Sequence, residues 1–188
     1  MKYTITTGDC ADISTDCLVV GVYAGKKLTP TAIAVDQATG GLLRRLAKCG
    51  DIEGVSGHTL LLPCENNLRA ARLLVVGLGD PTQLDADEFS AVVRSAATAL
   101  ERTGATNAAV ALTEAKVQKR DLGSRARIIV EGFSMSRYRF DQLKSKKSKS
   151  KNITLSKIVL PVQKKSSVTA VRHSVREGAV SYTHLRAH

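Results

Sequence analysis

The sequence predicts a three-layer α/β domain: a mixed central β-sheet flanked by helices on both faces. Three observations carry this reading. Short runs of Val, Leu and Ile alternate along the chain with segments of helical periodicity. Several of those runs are continuously apolar, as in strands covered on both faces. The chain has 188 residues, 43% hydrophobic and 24% charged. That is enough for one domain with a core, and it excludes global disorder, collagen and coiled coil. Aromatics are only 4% and Trp is absent, so the core must be aliphatic.

The elements follow in order. Tyr3 to Thr6 is a short β-favouring segment, and Cys17 to Val22 is a continuous apolar run. Thr29 and Pro30 suit the cap and first position of a helix. Gly40-Gly41 interrupts that helix, and Leu42 to Cys49 continues as a second one ending at Gly50. Thr59 to Leu62, Leu73 to Gly77, Ala108 to Leu112 and Ile158 to Leu160 read as further strands covered on both faces. Pro63 and Pro161 are expected to end two of them. Asp85-Ala86-Asp87-Glu88 has the pattern of a capping box. Behind it Phe89, Val92, Val93, Ala96, Ala97 and Leu100 form one apolar face, and Gly104 stops the helix. Another helix is expected from about Asp121 to Tyr138, with Ala126, Ile129, Val130, Phe133 and Phe140 on its buried face. Residues 142–152 are Lys- and Ser-rich and read as an exposed loop. Ser167 to Val180 begins a last helix with no evident partner in the chain.

The net charge is +11, and its distribution matters more than its size. Residues 1–139 hold 17 Lys and Arg against 15 Asp and Glu, whereas residues 140–188 hold 11 against 2. The run Lys144, Lys146, Lys147, Lys149 and Lys151 reads as a solvated linker, with nucleic-acid phosphates as the alternative partner. No aromatic residues interleave with these lysines, so base readout is not indicated. Cys10, Cys17, Cys49 and Cys64 form no C-x-x-C pair and read as small buried hydrophobes. The N-terminus has no apolar signal segment, and no run approaches a membrane span. A cytoplasmic protein with reduced thiols and no membrane partner is the expectation.

Chemistry-bearing motifs are sparse. Leu73 to Asp80 is a strand entering a Gly-rich turn and invites a phosphate-binding reading. The third glycine of that fingerprint is missing, Thr82 following Pro81 there, and Asp80 would repel an anion. Asp85, Asp87 and Glu88 suit a helix N-terminus, and Asp9, Asp12 and Asp16 a polar loop. His58 is expected at the surface. His173 and Ser174 are adjacent on a helix and so face different sides. No catalytic or metal-ligating residue is assigned.

The pieces nevertheless match a known pattern in order. They are Thr15-Asp16-Cys17-Leu18-Val19-Val20-Gly21-Val22, then Leu28-Thr29-Pro30 through Asp36-Gln37-Ala38-Thr39-Gly40-Gly41. Gly50-Asp51-Ile52-Glu53-Gly54 follows, with Gly57-His58-Thr59-Leu60-Leu61-Leu62 and Arg72-Leu73-Leu74-Val75-Val76-Gly77-Leu78-Gly79. Tyr138-Arg139-Phe140-Asp141-Gln142-Leu143-Lys144-Ser145-Lys146-Lys147 is the most specific, with Arg176-Glu177-Gly178 beyond it. Over about residues 1–180 the chain resembles the N-terminal domain of the leucyl (cytosol) aminopeptidases.

The resemblance implies a macro-domain-like fold and a cytoplasmic, hexameric parent. That parent would be a metallopeptidase removing N-terminal residues, preferably leucine, with two divalent ions (zinc, manganese or magnesium). Some relatives also bind DNA. The metal-binding domain of such enzymes has no counterpart in this sequence, so this segment is expected to bind no cofactor and to act in association or regulation. The implied division is a macro-like domain at 1–163, the start of a linking helix at 164–180 and a non-native scar at 181–188. On that division His184 and His188, four apart, are not metal ligands. A macro-like fold also raises ADP-ribose as a ligand, for which only the Gly77–Gly79 turn speaks.

Overall fold

The computed structural model describes residues 1–8, 10–64, 68–143 and 155–185. The strands are β1 (Lys2–Thr7), β2 (Cys17–Tyr23), β3 (Lys27–Leu28), β4 (Thr59–Pro63), β5 (Arg72–Gly79), β6 (Asn107–Val110) and β7 (Lys157–Val162). They form one sheet in the order β1-β7-β6-β2-β5-β4, with β3 appended to β2. The β1–β7, β7–β6, β6–β2 and β2–β5 pairings are parallel; β4 and β3 pair antiparallel. The helices are α1 (Pro30–Ala38), α2 (Leu42–Cys49), α3 (Ala86–Glu101), α4 (Leu122–Leu143) and α5 (Val168–Leu185).

The alternation of side chains along β2 assigns the two layers. Cys17, Val19 and Tyr23 join the core under α3, α4 and α5. Leu18, Val20 and Val22 join the core under α1 and α2. On α3 the six predicted face residues are all 0% exposed. Asp85 caps this helix, accepting from the amides of Asp87 and Glu88 at 2.9 Å each. Glu88 does not close the box. Its carboxylate instead accepts from the Ser56 hydroxyl at 2.9 Å, tying α3 to the loop before β4.

Gly40 and Gly41 both have positive φ, which turns the chain between α1 and α2. The cap position of α2, Gly41, has no side chain to offer. Asp36, 0% exposed, supplies the missing acceptor by taking the Arg44 amide at 3.0 Å on Oδ1. Arg44 Nε lies 3.2 Å from Oδ2, off the hydrogen-bonding direction, so that oxygen has an ionic neighbour and no hydrogen bond.

Several expectations are corrected by the packing. β4 is an edge strand with alternating exposure, not covered on both faces: Leu60 and Leu62 pack against the core while Thr59, Leu61 and Pro63 stay exposed. Ala111 and Leu112 leave the β6 ladder for a tight 3₁₀ turn, Ala111–Glu114. Pro161 lies inside β7 rather than ending it. Its carbonyl accepts from the Thr113 hydroxyl at 2.9 Å, so its missing N–H faces the side where β6 has already stopped. α4 extends to Leu143, taking the first two residues of the predicted basic loop. α5 does have a partner: Gly178 packs on Val130 and Arg127 of α4, and Ser174 lies over Gly123. Val171 and Val175 are buried there. The helical backbone of α5 runs through Leu185. Cys49 is exposed, because Leu43 and Ala47 take the buried face of α2. Phe140 lies outside the described side chains.

The loop between α2 and β4 closes over β5. Gly77 donates to the His58 carbonyl at 2.8 Å and accepts from the Gly57 amide at 3.0 Å. A Cβ on Gly77 would stand 1.9 Å from the Val55 carbonyl oxygen. Two measurements test these contacts by urea unfolding. Gly77→Ala should lower stability by about 3 kcal/mol, the upper end for overpacking. Asp36→Ala should cost about 2 kcal/mol through the lost α2 cap, which leaves the Arg44 amide without its acceptor.

Candidate functional site

The Gly77–Gly79 turn is not a phosphate cradle. The Gly77 amide is taken by His58, and the Gly79 amide donates to the Gly54 carbonyl at 2.9 Å. The glycines are there because the loop backbone presses on β5, and both glycine amides are already paired.

Polar groups gather instead at the carboxyl ends of the parallel strands, where open α/β sheets usually take ligands. A hollow of about 340 Å³ lies there. Its walls come from the turn after β1, the start of α1, the turn after β6, the first turn of α4 and the end of β7. The 3₁₀ turn after β6 swings Glu114 toward α1. Its carboxylate accepts from the Thr31 amide at 3.0 Å and from the Thr31 hydroxyl at 2.9 Å. The same hydroxyl lies 3.4 Å from Cys10 Sγ. Glu114 is half-buried, and burial raises its carboxyl above the ordinary range despite the hydrogen bonds from threonine that oppose the shift.

Arg125, on the first turn of α4, forms another wall. Its Nη1 donates to the Ala115 carbonyl and its Nε to the Asp121 carbonyl at 3.2 Å. It is half-buried, and desolvation lowers its pKa. Tyr23, buried at the end of β2, accepts from the Lys116 amide at 2.7 Å and fixes the backbone between Glu114 and Arg125. Burial pushes the Tyr23 phenol up.

The other singled-out residues are scattered. Asp16 accepts from the Thr106 amide and hydroxyl at 2.7 Å each, and these bonds hold its carboxyl below the usual range. It braces the turn into β6 and does not meet Asp12; Asp9 is outside the described residues. His58 is exposed, as expected. His173 is exposed and lies 3.4 Å from Glu177, while Ser174 turns to Gly123. Burial pushes the Cys17 thiol up to about 12, consistent with an inert core residue. Lys144, Lys146, Lys147, Lys149, Lys151 and His188 all lie outside the described residues, as does the side chain of His184. Among the described residues, no group of three or more His, Cys, Asp and Glu could hold a metal ion. Among them, too, no helix is long and apolar enough to cross a membrane.

Residue reading along the chain did not bring Cys10, Thr31, Glu114 and Arg125 together. They come from four separate segments, and the available signal was positional: Glu114 follows the carboxyl end of a parallel strand.

Comparison with known proteins adds the lineage. The N-terminal domain of the cytosol aminopeptidase family matches residues 19–147. The chain belongs to that family. A probable cytosol aminopeptidase of Alkalilimnicola ehrlichii is 36% identical over 178 residues, covering 95% of this chain and 36% of the relative. One from Nitrosospira multiformis is 36% identical over 180 residues, covering 96% and 34%. The chain thus spans about a third of the length of the curated relatives it matches. Among solved structures, a tomato leucine aminopeptidase mutant aligns with a TM-score of 0.63 at 20% identity, over 95% of this chain and 36% of that one. A Trypanosoma brucei macrodomain in complex with ADP gives 0.67 at 16% identity, over 93% and 69%. The domain therefore has the three-layer, macro-domain-like α/β fold that the family resemblance implied.

The raised Glu114 pKa carries a pH prediction. The folded state holds this proton more tightly than the unfolded chain, so ionising Glu114 opposes folding. Wild-type stability relative to Glu114→Gln should fall as pH rises from below the ordinary 4.5 through the elevated folded value, and level off above it. Denaturant midpoints of both chains across that range give the check; a pH-independent difference would remove the burial argument.

Proposed function

We propose that this chain is the non-catalytic N-terminal domain of a cytoplasmic metallo-aminopeptidase, serving in association and regulation. The observation that carries this reading is the family match over residues 19–147, by the N-terminal domain specifically. The curated relatives, which carry the name cytosol aminopeptidase, are about three times longer than the stretch they share with it. The parent enzyme would remove N-terminal residues from peptides, preferring leucine, as a hexamer. Two divalent ions (manganese, zinc or magnesium), held by residues outside 1–188, would activate water and polarise the scissile carbonyl. The structure of a family-fold neighbour, a bottromycin maturation enzyme, was solved in complex with manganese, which supports that choice of metals for the parent.

On this reading, residues 1–188 contribute no catalytic group and no metal ligand. Purified chain with added Mn²⁺ should release no product from leucine p-nitroanilide above the no-enzyme rate. Metal-dependent turnover that survives repurification would overturn the assignment.

The charge distribution favours a second reading, a nucleic-acid-binding regulatory module. Eleven of the 28 Lys and Arg fall in residues 140–188. Lys144, Lys146, Lys147, Lys149 and Lys151 would contact phosphates without reading bases. Duplex DNA binding should then weaken steeply with salt, log K falling against log salt with a slope of about −4.5 if all five engage. Absence of binding at about 50 mM salt would exclude this electrostatic mode.

A further inference from the structure

β4 ends the sheet, and among the described residues no strand pairs beyond it. The phase of its pairing to β5 fixes which backbone groups are left over. Gly77 donates to the His58 carbonyl at 2.8 Å and Cys64 to the Ala71 carbonyl at 3.1 Å, so alternate residues from 58 to 64 bond inward. Thr59, Leu61 and Pro63 therefore turn their carbonyls outward, and Thr59 and Leu61 their N–H groups as well; Pro63 has none. The side chains of these three lie on the face of α3, since Leu60 and Leu62 pack with the core under α1 and α2. That face is unfinished, with Leu61 43% exposed. An open trough of about 480 Å³ runs beside it, with Thr59 on one side and Arg94, Ser95, Thr98 and Arg102 of α3 on the other. Arg72, opposite Pro63 in the ladder, alternates with Leu74 and Val76 and so belongs to the same face. Among the described residues no carboxylate lines this trough. Asp51 and Glu53 lie on the other face of β4, with His58 and Leu60.

We propose that β4 takes up an extended, acidic segment of a partner protein as an added strand, with an apolar residue opposite Leu61 and acidic residues two positions to either side. The outward N–H and C=O groups of Thr59 and Leu61 and the carbonyl of Pro63 supply the main-chain bonds. Residues opposite one another in a ladder share a face. The residue facing Leu61 therefore covers that side chain, the one facing Thr59 enters the trough toward Arg94 and Arg102, and the one facing Pro63 comes beside Arg72. A carboxylate there gains charge-assisted hydrogen bonds from a guanidinium, whereas an ammonium is repelled. The same charges argue against a second copy as the occupant. Its β4, added across a two-fold axis normal to the sheet, would bring Arg72, Arg94 and Arg102 of both copies to one face. The segment lies within its own chain and presents no terminal amine, so the inference does not depend on the peptidase reading.

Fluorescence anisotropy on the full chain tests it with a blocked peptide, fluorescein-Thr-Glu-Thr-Val-Thr-Glu-Thr-amide, whose pattern reads the same in both strand directions. The peptide should bind saturably at one site per chain, with a Kd no weaker than about 1 mM. The analogue with Lys in place of both Glu should bind at least about tenfold more weakly. Methylating the Val nitrogen removes an N–H that faces β4 and should also cost at least about tenfold. Methylating the nitrogen of the next Thr, whose N–H faces away, should leave binding within about twofold. Arg94 and Arg102 are exposed on α3. The chain carrying both Arg94→Glu and Arg102→Glu, with folding checked by circular dichroism, should lose the preference for the Glu peptide. The peptide comparisons on the unaltered chain stand even if that variant does not fold. No saturable binding would overturn the proposal, as would equal affinity for the Glu and Lys peptides or equal losses at the two methylated positions. So would concentration-dependent dimerisation in sedimentation without peptide binding, which would assign the edge to a second copy.

Discussion

Seven consecutive residues of β2, Cys17 to Tyr23, are withdrawn from water on both faces, and the rest of the domain is arranged around that constraint. A strand in this position must have its backbone paired on both edges and its side chains covered from above and below. β5 and β6 supply the pairing, α3 and α4 cover one face, and α1 and α2 cover the other. Because the pairing is parallel, the chain must cross over between strands each time, and the crossovers are the helices. The carboxyl ends of β1, β6 and β7 then open on the same side of the sheet.

That shared opening decides where polar groups can collect. Within the layers, burial leaves no room for unpaired charge. At the strand ends the backbone has already turned away from the ladder, and side chains such as Glu114 and Arg125 stand between core and solvent. Glu114 is held by hydrogen bonds from Thr31, and Arg125 by backbone carbonyls with the Asp121 carboxylate acting on it as a counter-charge. The glycine-rich end of β5 follows the opposite course. There a neighbouring loop consumes the free amides of Gly77 and Gly79, so the place that looked most like a ligand turn has only structural work to do.

Local signals were legible where one residue type has one physical solution. The α3 face, the Asp85 cap, the Thr29-Pro30 start of α1 and the Gly50 stop of α2 all stand where the sequence puts them. Readings failed where the outcome depended on a distant neighbour. β4 looks like a core strand by composition, but at the sheet's edge only alternate residues find cover. Pro161 looks like a terminator, yet β7 tolerates it because β6 ends one step earlier. α5 looked unpartnered because the glycines that let it close on α4, Gly123 of α4 and its own Gly178, carry no apolar signal. The Glu88 half of the capping box was diverted by Ser56, which lies far from it in sequence.

The sequence by itself determined the layer architecture, most helix boundaries and, through ordered segments from Thr15 to Gly178, the family. It could do so because hydrophobic period, caps and turn glycines act over a few residues. Only the tertiary structure decided which strand lies at the edge, what consumes the Gly77 and Gly79 amides, and that Cys10, Thr31, Glu114 and Arg125 share one hollow. Those outcomes rest on contacts between residues tens of positions apart, and burial and charge neutralisation exist only once such residues have been brought together.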